Sequence, residues 1–293
     1  MFSRNQQSHI AGLIAGGHPD RFKFDSEKGE MVLAKKTNIC ELETYQKIFR
    51  VQESHPYYKP FQMFRNFLPN YHGYFEQDGV LNIKLDNLMN GMSHASVLDI
   101  KMGTTSITVN TAIEKHERVR AKDALTTSVK LGMRITAMIV KDSQGQVQEK
   151  VRKPHGKAQE CNIPEFIIKV LRSNEHQHIN REALDYFIDT AEKMLEYFVN
   201  DHPLKITGSS ILLIVDNTNK KYSMKIIDLS SCEEIEEASQ RDESYILGIQ
   251  SLLRILKSIR DESHHYQSIE PNYQEYSTNN SQFMTEEEQK QDL

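Results

Sequence analysis

The chain has 293 residues, 38% of them hydrophobic, and a formal net charge of −5. That length suits one large domain or a two-lobed one. No apolar run approaches the roughly 20 residues that span a bilayer, and the polar N-terminus has no secretory signal pattern. The charge is uneven: from Ser263 onward six acidic residues face one lysine, so residues 1–262 balance to about zero.

In chain order, residues 21–25 and 30–35 read as two strands turned at Ser26-Glu27-Lys28-Gly29. Residues 41–49 form a helix with Leu42, Tyr45 and Phe49 on one face. The stretch 67–75 enters a second pair of strands, which 82–87 completes, and 89–94 connects this small segment to a larger one. There, an apolar run ends in Asp99-Ile100-Lys101-Met102-Gly103, and residues 113–125 form a charged helical stretch. Residues 131–140 read as a strand, and Pro164 starts a helix through Phe166, Ile167, Val170 and Leu171. Asn180 caps another helix, with Leu184, Phe187, Ile188, Ala191, Leu195 and Phe198 along its apolar face.

A hairpin follows, with arms 209–216 and 222–228 and a turn at Asn217-Thr218-Asn219-Lys220. Pairing Asp216 with Lys221 places Asp228 opposite Ser209, to within about two residues. A last helix covers 245–259. The tail from 263, rich in Gln, Asn, Ser and Glu, reads as disordered.

Strand side chains repeat every two residues, so Asp99 and Lys101 share a face. The plain reading is an ion pair on a solvated sheet face. The chemical reading is an acid that orients or deprotonates an attacking hydroxyl beside a cation that holds phosphate charge. Asp228 is either a strand-ending residue or a magnesium ligand, since magnesium takes one or two carboxylates plus nucleotide phosphates. Lys35, with Lys36 as an alternative, and Glu41 form either a surface pair or a phosphate-positioning pair. Basic residues cluster at Lys115, His116, Arg118, Arg120 and Lys122, and again at Lys150, Arg152, Lys153, His155 and Lys157. These are solvated faces or a polyphosphate site. Nucleic acid is a poorer ligand, because the clusters lack interleaved aromatics and the net charge is wrong. Cys40, Cys161 and Cys232 form no C-x-x-C pair, so neither a zinc knuckle nor a disulfide framework is indicated, and a reducing cytosol or nucleus fits. There is no Walker A motif, H-R-D loop or G-x-G-x-x-G.

Asp99-x-Lys101-x-Gly103 resembles the signature of the inositol polyphosphate kinases. Other pieces occur in that family's order. Ala15-Gly16-Gly17-His18, or His9-Ile10-Ala11-Gly12, looks like its N-terminal element, and Glu41-Leu42-Glu43-Thr44-Tyr45 like its helix after the ATP lysine. Phe67-x-Pro69-x-Tyr71-x-Gly73 and Leu85-Asp86-Asn87-Leu88 are similar to its F-x-P-x-Y-x-G and hinge segments. Thr126-Thr127-Ser128, Leu131-Gly132-Met133-Arg134, Lys153-x-x-Gly156-Lys157, Gly208-Ser209-Ser210, Ile227-Asp228-Leu229 and Asp242-x-x-Tyr245-x-x-Gly248 continue the series. The chain departs from it at Ala95 (for proline), Leu229-Ser230-Ser231 (for F-A-H) and Ser244 (for glycine).

The resemblance implies a two-lobed α+β fold, distantly protein-kinase-like. Residues 1–88 would form an ATP-binding lobe, 89–262 a catalytic and substrate lobe, and 263–293 an acidic tail. It implies ATP and Mg2+ as cofactors and an inositol polyphosphate as substrate. Asp99 and Lys101 would be catalytic, and Asp228 would hold the metal. Lys35, Glu41, Asp86, Leu88, Ser209 and Ser210 would serve the nucleotide. Lys101, Lys115, Arg118, Lys122, Lys153 and Lys157 would bind substrate. The short stretch between Gly103 and Leu131 disfavours a trisphosphate 3-kinase; a multikinase is expected, with a hexakisphosphate kinase or a non-catalytic polyphosphate-binding scaffold as alternatives. A cytoplasmic or nuclear monomer, without a nucleic-acid partner or transmembrane segment, is the expectation.

Overall fold

The computed structural model describes residues 19–25, 28–152, 154, 162–174, 178–237 and 240–269. The first sheet has four antiparallel strands in the order β1-β2-β4-β3. In it, β1 (Phe22–Asp25) pairs with β2 (Gly29–Lys36), and β4 (Val80–Asp86) lies between β2 and β3 (Tyr71–Gln77). Asn38 starts helix α1 (Ile39–Arg50), its side chain accepting the Glu41 N–H at 2.9 Å. A second helix, α2 (Tyr58–Arg65), was not anticipated from sequence. It is short and has Pro60 in its first turn, but Phe61 and Phe64, three residues apart, are both fully buried.

The second sheet has the order β10-β9-β5-β6-β7. Its strands are β5 (Ser96–Met102), β6 (Met133–Lys141), β7 (Val147–Arg152), β9 (Ser210–Asp216) and β10 (Lys221–Ile227). The hairpin has the expected register, with Asp216 opposite Lys221 and Ile227 opposite Ser210. Between β5 and β6 lie a single-turn lead-in, Ile113–Lys115, then α3 (His116–Ala124) and α4 (Ser128–Leu131). After β7 come α5 (Ile163–Leu171) and α6 (Arg181–Asn200), and the last helix is α7 (Glu243–Ile269). A two-strand ribbon pairs β8 (Leu204–Ile206) with β11 (Cys232–Glu234). Sequence reading missed β7, β8 and β11: β7 is mostly polar and lies at a sheet edge, and the other two have three residues each.

Strand β5 is central and buried on both faces, which explains its nearly continuous apolar run. Its alternation divides the interior. Leu98, Ile100 and Met102 enter the main core with α5, α6 and α7, while Val97 joins a smaller cluster with Phe24, Met89 and Ala95 between the two sheets. Asp99 and Lys101 follow Val97 on that second face and so point towards the first sheet. The main core is continuous across both segments. Phe64 of α2 stacks on Tyr197 of α6 at 5.6 Å and meets Phe198 edge-on at 6.1 Å. Burying one such aromatic or aliphatic side chain contributes about 1.5–3 kcal/mol. Helix α7 runs to Ile269, beyond the expected tail boundary at 263, because no glycine or proline follows Gly248 before Pro271.

Candidate active site

Three elements meet at Lys35. Its Nζ lies 2.5 Å from Glu41 Oε1 and 2.5 Å from Asp228 Oδ1, joining β2, α1 and the end of β10. Glu41 is almost fully buried; its carboxylate also accepts from Thr37 Oγ1 at 2.5 Å and from the Leu229 N–H at 3.2 Å. Burial opposes the Lys35 charge, but Asp228 and Glu41 outweigh it and hold the lysine pKa above its ordinary value. Partial desolvation opposes ionisation of Asp228, and Lys35 reverses it, so that carboxyl titrates below the usual range. Asp228 adopts φ +65°, which turns the chain sharply out of β10 and costs on the order of 1–3 kcal/mol. Its side chain stays 46% exposed.

Asp99 lies on the same face. Burial raises its pKa; the hydroxyls of Thr136 and Ser210 offset part of this, and the negative charge of Asp228 adds to it. Asp99 Oδ1 is buried with no hydrogen-bond partner among the described residues. Such an oxygen is costly unless a ligand group meets it. Lys101 stands across from Ser210 on β9 and Arg134 on β6. Burial first, and Arg134 second, lower its pKa.

Arg134 and Asp123 form a buried pair at 3.4 Å. Arg134 Nη1 also donates to Ser128 Oγ at 2.6 Å, and Nη2 to Ser106 Oγ at 2.9 Å. Neither residue received a role from the sequence, although Arg134 lies in the quoted Leu-Gly-Met-Arg motif. Below them, Gly132 crosses Gly248 of α7 so closely that a Cβ on Gly132 would sit 2.5 Å from the Gly248 nitrogen. Ser244, at the position of a family glycine, accepts the Thr104 N–H at 2.7 Å.

The other expected site residues are placed less uniformly. Ser210 lies beside Asp99, but Ser209 is fully buried and donates to the Tyr245 hydroxyl at 3.2 Å, so its side chain belongs to the core. Adjacent residues of extended chain face opposite ways, which separates the two serines. The Asp86 carboxylate is held by Asn70 Nδ2 at 2.7 Å and His72 at 2.6 Å, and Leu88 packs against the smaller cluster. Lys115, Arg118 and Lys122 are exposed on α3 and its lead-in. Lys153, Lys157, Cys161 and both N-terminal glycine elements lie outside the described residues.

The family model for inositol polyphosphate kinase matches residues 82–257, well over half of the chain and the whole span from β4 through most of α7. The chain belongs to the inositol polyphosphate kinase family. Human inositol-trisphosphate 3-kinase A is 22% identical over 242 residues, covering 67% of this chain and 50% of that protein. The inositol polyphosphate multikinase of Saccharomyces cerevisiae is 26% identical over 157 residues, covering 48% of this chain and 44% of the relative. The human multikinase is 20% identical over 198 residues, covering 66% and 47%. The chain thus spans about half the length of the curated relatives it matches. Among solved structures, the S. cerevisiae multikinase Ipk2 in complex with ADP and Mn2+ superposes with a TM-score of 0.62 at 22% identity, covering 78% of this chain and 98% of that one. The two share the α+β kinase-like fold.

Proposed function

We propose that this protein is an ATP-dependent inositol polyphosphate kinase of the multikinase type. The observation that carries the reading is Asp99 Oδ1, buried without a hydrogen-bond partner among the described residues, beside Lys101 on β5 and within electrostatic reach of Asp228. In this reading residues 1–88 hold the nucleotide and 89–262 the substrate. Lys35, oriented by Glu41, meets ATP phosphate. The backbone of Asp86 to Leu88 faces adenine, since the Asp86 side chain is committed to Asn70 and His72.

Asp228 suits a divalent cation. Its carboxylate is half exposed, and among the described residues no group of three His, Cys, Asp or Glu forms a complete protein cage. That is the donor set expected for magnesium shared with nucleotide phosphates. Such a cation neutralises charge on the transferring phosphate.

Asp99 accepts the proton, or the hydrogen bond, of the attacking inositol hydroxyl. The hydroxyl oxygen forms the new bond to the γ-phosphorus while the bond to the bridging oxygen breaks and ADP leaves. Lys101 and Lys35 neutralise phosphate oxygens, so positioning and charge supply most of the rate. No helix among the described residues is long and apolar enough to cross a membrane; a cytoplasmic or nuclear monomer completes the reading.

The test is product analysis of purified protein with ATP, Mg2+ and inositol phosphates from tris- to hexakisphosphate. New phosphates at free hydroxyls of the lower members support a multikinase. Conversion of hexakisphosphate to a pyrophosphate assigns the other branch. No turnover by folded, ATP-binding protein overturns the enzymatic reading in favour of a scaffold.

A further inference from the structure

Helix α3 carries Lys115 at its lead-in, then Arg118 and Lys122, yet it has little to hold it in place. Its sequence, His-Glu-Arg-Val-Arg-Ala-Lys-Asp-Ala, has no apolar stripe, and the flanking Ile113 and Leu125 are 83% and 82% exposed. A helix without an apolar face gains little from packing. Asp123 is the one buried residue of α3. Its Oδ2 accepts the Ser106 N–H at 2.6 Å, and its Oδ1 accepts Ser106 Oγ at 2.8 Å and pairs with Arg134. Arg134 in turn holds Ser128 at the start of α4. One carboxylate and one guanidinium therefore join the chain after β5, helix α3, helix α4 and strand β6.

The anchor is also close to the chemistry in register, since Arg134 is the cross-strand partner of Lys101. A shift of α3 would move Lys115, Arg118 and Lys122 relative to Asp99 and Lys101, while β2, α1 and β10, which hold Lys35 and Asp228, would stay where they are. We propose that Asp123 is a positioning residue: by pairing with Arg134 it fixes α3 beside the start of β6 and so places Lys115, Arg118 and Lys122 for the substrate phosphates. This rests on the kinase reading above and assigns a substrate-positioning role to a residue whose carboxylate is buried against Ser106 and Arg134.

The test compares full-length wild type with Asp123→Asn, which keeps the shape and removes the charge. KM for inositol trisphosphate should rise about tenfold or more, with KM for ATP within about twofold of wild type, because buried ion pairs act mainly on the groups they hold. Asp123→Glu, which restores the charge, should recover part of the loss. Equal changes in both KM values, or an unchanged substrate KM, overturn the proposal. Hydrogen exchange is read on the same proteins. Faster exchange confined to residues 104–131 is expected in Asp123→Asn, and unchanged exchange there overturns the anchoring. Wild type that turns over no inositol phosphate, with locally faster exchange in the variant, removes the kinase reading and leaves the anchoring supported. If Asp123→Asn does not fold, Ser106→Ala, which removes one hydroxyl partner, carries the same comparison with a smaller effect.

Discussion

Lys35 Nζ donates to Asp228 Oδ1 at 2.5 Å across a sequence separation of 193 residues, tying an inner strand of the first sheet to the end of the β9–β10 hairpin. The same ammonium is held by the buried Glu41. Replacing it with Met leaves the buried Glu41 carboxyl without its cation. Breaking a buried pair in this way costs about 3–5 kcal/mol. Lys35→Met should therefore lower the urea midpoint as well as abolish turnover, and a variant that melts like wild type would show that Glu41 is satisfied by Thr37 and Leu229 alone.

Asp99→Asn should separate activity from stability. If Asp99 takes the hydroxyl proton, kcat falls by on the order of 10²–10⁴. Its folded pKa is raised, chiefly by burial, so the native state binds this proton more tightly than the unfolded chain does. Stability from this group is present below the ordinary carboxylate pKa and is lost as pH rises through the raised value. The asparagine variant should melt no lower than wild type at pH 7. In wild type, kcat/KM should fall as pH drops through the raised Asp99 pKa. Near-normal turnover of folded Asp99→Asn would sink the base.

Asp228→Ala should abolish activity at every metal concentration. Rescue by excess ATP and Mg2+ would mean that the carboxylate only supports Lys35. Its own pKa is depressed by Lys35 against the effect of burial, so its contribution to stability is present at neutral pH and is lost only as pH falls below the ordinary carboxylate range.

His202 is buried among Phe64, Tyr197 and Phe198, with Phe198 stacked at 4.1 Å, and burial pushes its pKa down to about 3. The unfolded chain takes up the proton near pH 6.5, so stability is full above that value and declines as pH falls towards 3. At about 1.4 kcal/mol per unit, the loss between pH 7 and pH 5 is about 2 kcal/mol. Denaturant titrations at both pH values should show it, and His202→Phe should flatten the slope.

Gly248→Ala puts a methyl group against the backbone of Gly132, which cannot move aside as a flexible side chain would. Overpacking of this kind costs about 1–3 kcal/mol. Thermal melts should show the loss, and an unchanged melting temperature would mean that α7 shifts away from Gly132 at little cost.

The sequence alone determined the elements whose cause is local. The period-two run through Asp99 and Lys101, the hairpin register that sets Asp216 opposite Lys221, and the Asn180 cap all depend on neighbours within a few residues. The motifs were legible for the same reason, since each is a short string. Helix α2 and the ribbon of β8 and β11 were not legible, because their stability comes from distant partners such as Tyr197 rather than from propensity.

Only the tertiary structure decided which charges meet. Lys35 had two candidates in sequence, Lys35 and Lys36, and burial against Glu41 and Asp228 selected the first. Ser209 and Ser210 looked equivalent until one faced Tyr245 and the other Asp99. Asp123 had no role in the sequence reading, and its burial against Arg134 is a product of the fold. Side-chain period fixes the face a residue occupies. The partner that neutralises its charge is set by how sheets and helices stack, and that depends on the whole chain at once.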